Sequence, residues 1–206
     1  MIFDCDGVLV DSEPIANRVL CEALIGVGLD CDAAETARAT RGLSMASVLT
    51  WAAAELGRAL PDDFVERVQA RTFAAFRAGL EPVPGVAAAL ERIPIPICVA
   101  SSGEAEKIRL SLGLTGLLPR FEGRVFSATE VARGKPYPDL FLHAARALGA
   151  EPAACAVVED SLPGVEAGRA ADMTVLAYAD GRDAGPLAAA GARVFADMAE
   201  LPDLLA

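Results

Sequence analysis

The chain has 206 residues, with 29 Asp+Glu against 18 Lys+Arg and a single His, for a formal net charge of −11. Hydrophobic residues make up 53% of it and aromatic residues only 5%, so a packed core of Ala, Val and Leu is expected and intrinsic disorder is excluded. The acidic balance has the wrong sign for nucleic acid; no stretch approaches the ~20 uncharged apolar residues of a membrane helix, and MIFDCDG meets a charge at Asp4, so the reading is cytoplasmic, with no membrane partner and no signal peptide.

In chain order, the first apolar run is MIF at 1–3, followed by Asp4, Cys5, Asp6 and Gly7. Residues 13–80 then show helical spacing and no convincing strand. Ile15, Val19, Leu20, Ala23 and Leu24 form one stripe, and Val48, Leu49, Ala52 and Leu56 another. Strand-like runs resume with IPICVA at 95–100, RVFSA at 124–128, CAVVE at 155–159, MTVLAYA at 173–179 and ARVFA at 192–196. Helical patterns alternate with them. Ser102-Gly103 opens EAEKIRLSLGL, Pro138-Asp139 opens LFLHAARALG with Gly149 closing it, and Pro163 lies in the first turn of GVEAGRAA.

Continuous apolar strands alternating with helices predict an α/β fold, a Rossmann-like parallel sheet covered on both faces. The change of pattern predicts an inserted all-helical module. Its boundaries fall near residues 12 and 82, the second marked by Glu81-Pro82-Val83-Pro84-Gly85, giving a core of 1–12 and 82–206 around a module of 13–81.

Ligands of open α/β sheets bind outside the carboxyl ends of the strands. Asp4 and Asp6 follow the first run, Ser101 and Ser102 the second, and Glu159 and Asp160 the fourth, with Lys135 a loop after the third. Two aspartates at i and i+2 repel each other unless a cation or a shared proton intervenes. With Asp160 added, a hard divalent ion is expected, and Mg²⁺ fits because it takes a few carboxylate oxygens and leaves positions for phosphate. Taken alone, the pair reads equally as turn and cap residues. Lys135 alone reads as a surface lysine, but its flank GKPYPDLF is stiffened by two prolines, which would aim the ammonium. Ser101, beside a helix start at Ser102-Gly103, offers a hydroxyl and backbone N–H groups to an anion, or simply an N-cap.

Other chemistries fail on the same residues. An EF-hand loop needs glycine sixth, and Gly7 is fourth. Gly134-Lys135 is no Walker loop, because Pro136 follows and position 129 is Thr. The single His143 sits on the border of an apolar helical face, so acid–base chemistry is expected from carboxylates. Five cysteines without a CxxC pair (Cys5, Cys21, Cys31, Cys98, Cys155) read as reduced thiols.

FDCDGVLVDSE (3–13), VASSG (99–103), GKPYPDLF (134–141) and VVEDSLPGVEAG (157–168) together resemble, in order, the four motifs of the haloacid dehalogenase-like (HAD) phosphohydrolases. The resemblance spans essentially the whole chain. The helical insertion is similar to the cap of the subgroup containing β-phosphoglucomutase and phosphoglycolate phosphatase, and the motif wording is most similar to its 6-phosphogluconate phosphatase-like members. The resemblance implies that Asp4 is a nucleophile forming an aspartyl-phosphate and that Asp6 protonates the leaving oxygen and then activates water. It implies Mg²⁺ on the Asp4 carboxylate, the Asp6 carbonyl and Asp160, with Glu159 as a direct or outer partner. Ser101, Ser102 and Lys135 would hold the phosphoryl oxygens of a small-molecule phosphate ester, in a monomer or homodimer.

The cap should choose that ester. Arg41, Gly42, Leu43 and Ser44 resemble the cap loop that reaches over the active site, and Glu13 and Asn17 start the first cap helix; Arg41 reads equally as a surface arginine or as a contact to a substrate carboxylate or distal phosphate. β-Phosphoglucomutases carry an arginine just after this loop's serine and a histidine on the first cap helix. This chain has Met45 and Ala16 there, which disfavours a mutase. Dehalogenation dispenses with Mg²⁺ and the second aspartate, and Asp6 is present. Cys5, flanked by carboxylates, is expected to be inert.

Overall fold

The structure is a computed structural model and describes residues 1–40 and 45–205. Contacts divide it into two compact units, Met1–Asp11 with Glu81–Ala206, and Ser12–Leu80. In the first, strands β1 (Ile2–Phe3), β2 (Cys98–Ser101), β3 (Val125–Ser127), β4 (Ala156–Glu159), β5 (Thr174–Tyr178) and β6 (Arg193–Phe195) form one sheet. Its order is β3-β2-β1-β4-β5-β6 and every pairing is parallel. Five strands fall within the apolar runs, and β2 lies in the second and extends one residue beyond it, to Ser101. The second run is trimmed: Pro94 and Pro96 supply no N–H, Ile95 is exposed, and the ladder starts only at Cys98.

The same unit carries α5 (Val86–Arg92), α6 (Ala105–Leu114), α7 (Asp139–Ala147), α8 (Leu162–Ala170) and α9 (Gly185–Ala189), numbered after the four helices of the second unit. β1 is short but central. Ile2 pairs with Cys98 on one side and Val157 on the other, and both its residues are fully buried. One layer of core joins Ile2, Ala100 and Val157 to Leu140, Phe141 and Ala144 of α7 and Ala167 of α8. Phe3 meets Phe121 edge-on at 6.1 Å. Few large rings are needed because Ala and Gly let the helices lie close to the sheet.

The second unit holds α1 (Glu13–Gly26), α2 (Ala33–Thr40), α3 (Met45–Leu56) and α4 (Phe64–Gly79). Its core contains the first stripe and all of the second but Leu56: Val19, Leu20 and Leu24 pack with Val48 and Ala52, and Phe64 and Val68 of α4 complete it. Among the described residues no helix is long and apolar enough to cross a membrane.

One helix start differs from expectation. α6 begins at Ala105 with Glu104 as N-cap in an extended conformation, so Ser102 and Gly103 belong to the preceding loop. The Gly103 N–H donates instead to Ser101 Oγ at 3.2 Å, which closes a local turn and delays the helix.

Candidate active site

The site is built where four parallel strands end. The Asp4 N–H donates to the Val158 carbonyl at 2.9 Å, extending the β1–β4 ladder by one residue and fixing the Asp4 backbone. The chain then folds back through Leu9 and Val10, whose N–H groups both donate to the Cys5 carbonyl, while the Gly7 N–H donates to the Val10 carbonyl. Gly7 has φ +75°, a left-handed conformation that favours glycine, and a Cβ there would collide with Asp160 Oδ2. This glycine therefore lets the first loop pass directly beside the fourth motif.

At the end of β4, Glu159 is fully buried. Its Oε2 accepts from the Asp160 N–H (3.0 Å), the Ser161 N–H (3.0 Å) and Ser161 Oγ (2.9 Å), and its Oε1 accepts from Lys135 Nζ at 2.6 Å. Ser161 also N-caps α8 by accepting from the Gly164 N–H. Lys135 Nζ donates in addition to Asp4 Oδ1 at 2.7 Å, and its side chain is only 4% exposed. The ammonium also lies 4.9 Å from the centre of the Phe141 ring. Arg133 forms two hydrogen bonds to Asp139 and stacks over Tyr137 at 4.4 Å, bracing the loop that delivers Lys135.

These groups shift one another. Burial raises the Asp4 carboxyl to about 7; Lys135 opposes the rise, and Glu159 and Asp6 add to it. Burial also pushes Asp160 well up, helped by Glu159 and Asp4 and opposed by Arg182. Burial alone would lower Lys135, but Asp4 and Glu159 outweigh it and hold the ammonium charged. Burial, then Asp6 and Asp4, drive the Cys5 thiol well above its ordinary range, which leaves it a poor thiolate.

Asp4, Glu159 and Asp160 can each place a carboxylate oxygen within 4.8 Å of the others. An all-oxygen set of buried carboxylates, two of them raised by mutual repulsion and burial, fits a hard divalent cation. Both Glu159 oxygens are already committed to donors, so its geometry suits a partner that fixes Lys135 and the 160–161 backbone. Asp4 and Asp160 are better placed as ligands.

Of the residues singled out from sequence, the structure brings together Asp4, Glu159, Asp160 and Lys135 directly. Ser101 ends β2 with its hydroxyl buried, whereas Ser102 is exposed. Asp6 is tied to Lys107 Nζ at 2.8 Å through Oδ2. Glu13 and Asn17 lie at the start of α1 in the helical unit; Arg41, Gly42 and Ser44 lie outside the described residues. His143 is a half-buried helical residue, 5.2 Å edge-on to Phe126.

Three elements of the site were not singled out from sequence. Lys107 on α6 reaches Asp6. Arg182, held by the carbonyls of Tyr178 and Ala179, donates to Asp160 Oδ2 at 2.9 Å. Ser127 donates to the Gly103 carbonyl at 2.7 Å and so ties the Ser101 loop to the end of β3. Among the described residues, four carboxylates thus face three cationic side chains.

A sequence model of the haloacid dehalogenase-like hydrolases matches residues 1–172. The chain is 31% identical to 6-phosphogluconate phosphatase of Escherichia coli, covering 99% of this chain and 93% of that one. Among solved structures it is similar to a conserved haloacid dehalogenase-like protein of Agrobacterium tumefaciens, with a TM-score of 0.88, 32% identity, and 99% and 96% of the two chains covered. A HAD family hydrolase of Deinococcus radiodurans, solved with bound phosphate and sodium, has a TM-score of 0.82 at 33% identity, covering 97% and 91%. With its four motifs gathered at one edge of a parallel sheet and a family match over most of its length, the chain belongs to the haloacid dehalogenase-like hydrolases.

Proposed function

We propose that this hydrolase is a Mg²⁺-dependent phosphatase that cleaves a small phosphorylated metabolite, a sugar phosphate or phosphorylated sugar acid, through an aspartyl-phosphate. The observation that carries the reading is the buried Lys135 ammonium bridging Asp4 and Glu159, with Asp160 alongside. The likeness to 6-phosphogluconate phosphatase and the phosphate in the Deinococcus neighbour support it.

In this reading an Asp4 carboxylate oxygen attacks phosphorus and the ester P–O bond breaks, while Asp6 gives its proton to the leaving oxygen. Asp6, now a carboxylate, takes a proton from water. The water oxygen attacks phosphorus, the bond to Asp4 breaks, and inorganic phosphate leaves with Asp4 restored. Lys135 and the Ser101 hydroxyl hold the phosphoryl oxygens, with Ser102 at the rim. Asp4, Asp160 and the Asp6 main-chain carbonyl would hold Mg²⁺, and Glu159 acts through Lys135 and the 160–161 backbone. The ion, when bound, offsets repulsion between Asp4 and a dianionic phosphate.

The helical unit is the cap in this reading, and Glu13, Asn17, Arg41, Gly42 and Ser44 are its contacts to the substrate beyond the phosphate. Phosphate release from a panel of sugar phosphates, sugar-acid phosphates and phosphoglycolate tests the whole. We expect turnover with Mg²⁺, a loss of at least about a hundredfold with chelator, and recovery on adding the ion back. Conversion of β-glucose 1-phosphate to glucose 6-phosphate without free phosphate would overturn it in favour of a mutase.

A further inference from the structure

We propose that Lys107 is a positioning residue for Asp6, its ammonium anchoring the side chain at Oδ2 while the carboxyl group exchanges its proton with leaving group and water. The inference rests on the phosphatase reading above and adds to it a residue outside the four motifs. Asp6 sits in the loop after β1, and Lys107 reaches it from α6, 101 residues away, at 2.8 Å. Both side chains are about a quarter exposed, at 28% and 27%, so the pair lies at the mouth of the site rather than in the core.

Local preference does not explain a lysine at this place. Lys107 is the third residue of α6, where the positive end of the helix dipole disfavours a cation. Its neighbours Glu104 and Glu106 are the acidic residues such a helix start ordinarily takes. A charge placed against its local field is expected where a tertiary contact requires it. The stem is steered as well as the head. Lys107 Cδ lies 3.5 Å from where a side chain on Gly103 would begin, and Ser101 Oγ lies 3.7 Å from the same point. The aliphatic part therefore runs along the loop that carries Ser101. Gly103 is itself held by Ser127 Oγ, so β3, the Ser101 loop, Lys107 and Asp6 form one chain of contacts.

An acid–base carboxylate must be held within about 0.5 Å of its productive position. Asp6 swings on two side-chain torsions, and an ion pair from a separate element removes that freedom. The benefit falls on esters whose leaving oxygen needs a proton. An alkoxide needs one; p-nitrophenolate does not.

Lys107→Met keeps the stem and removes the charge, and Lys107→Arg restores a cation. With the fastest sugar phosphate of the panel, Lys107→Met is expected to lower kcat/KM at least tenfold with KM changed less than threefold. With p-nitrophenyl phosphate the fall should stay under threefold, and Lys107→Arg should recover most of the loss. Equal falls on both esters, or a rise in KM without loss of kcat, would overturn the positioning role. Asp6→Asn separates the two levels: a leaving-group-dependent loss there but not in Lys107→Met overturns the role of Lys107 alone. A wild-type enzyme that releases phosphate from no ester overturns the phosphatase reading and this inference with it.

Discussion

Asp4→Asn is expected to lower phosphate release by at least about a thousandfold and, in the same molecule, to raise the melting temperature of the metal-free protein. The first effect follows, in the proposed mechanism, from removing the attacking oxygen. The second follows from where Asp4 is buried. In the unfolded chain its carboxyl ionises near 3.8, but in the folded protein near 7. Between those values the native state holds a proton that the unfolded state has released, so this group's contribution to stability falls as pH rises through the interval. Above 7 the cost is complete, on the order of 4 kcal/mol.

Asn is isosteric and neutral and can still accept from Lys135, which keeps its Glu159 partner. The attraction of Lys135 for the carboxylate is already contained in the raised value, so relief of the burial cost should show as an increase of several degrees at pH 8. At pH 5, where Asp4 is already protonated in the folded state, the difference should shrink. Melting curves with chelator at both pH values check it. A lower melting temperature in the variant at pH 8 would mean that the Lys135 contact outweighs the burial of the charge.

Gly164→Ala should be disabling, although alanine is the better helix former by about 1 kcal/mol. Gly164 lies in the first turn of α8, and a Cβ there would collide with Cδ and both oxygens of Glu159. The carboxylate cannot yield cheaply. It is held by Lys135, by two backbone N–H groups and by Ser161, and breaking a buried pair of this kind costs about 3–5 kcal/mol. The expected result is a fall in melting temperature of roughly 6–12 °C and a loss of activity of at least a hundredfold, because Lys135 loses its anchor. Gly113→Ala in α6 is the control, since a Cβ there meets nothing nearer than Leu118 at 4.0 Å. Equal behaviour of the two variants would show that Glu159 is not held as rigidly as its four donors imply.

The six strands could be read from sequence because a short, mostly apolar run marks each of them, as expected where helices cover a parallel sheet. Asp4, Ser101, Glu159 and Asp160 were legible for a related reason: each stands where an apolar run ends, and such ends share one edge of a parallel sheet. Helices α5 and α9 left no comparable trace. They have seven and five residues and are rich in alanine, too short for a periodic stripe. Lys107 is one of several charges in EAEKIRLSLGL, and Arg182 stands in the irregular segment DGRDAG. Both act through contacts distant in sequence, and pairing across such a distance leaves no local pattern. The start of α6 was misplaced because Ser102-Gly103 has the composition of a cap but the Gly103 N–H is spent on Ser101.

The central position of β1 also bears on the order in which the molecule can be made. A strand of two residues has no independent stability, and its ladder partners, Cys98 and Val157, come far later in the chain. On the ribosome, Ile2 and Phe3 emerge long before Cys98 and Val157, and they can be enclosed only after both have followed. The helical unit is different: Ser12–Leu80 is continuous in sequence with its own core, so it can form while the sheet is still incomplete. High contact order slows the step that follows. Until β4 has been synthesised, Asp4 stays apart from Glu159 and Asp160, and the nascent chain can carry a formed insertion between two halves of an unmade sheet.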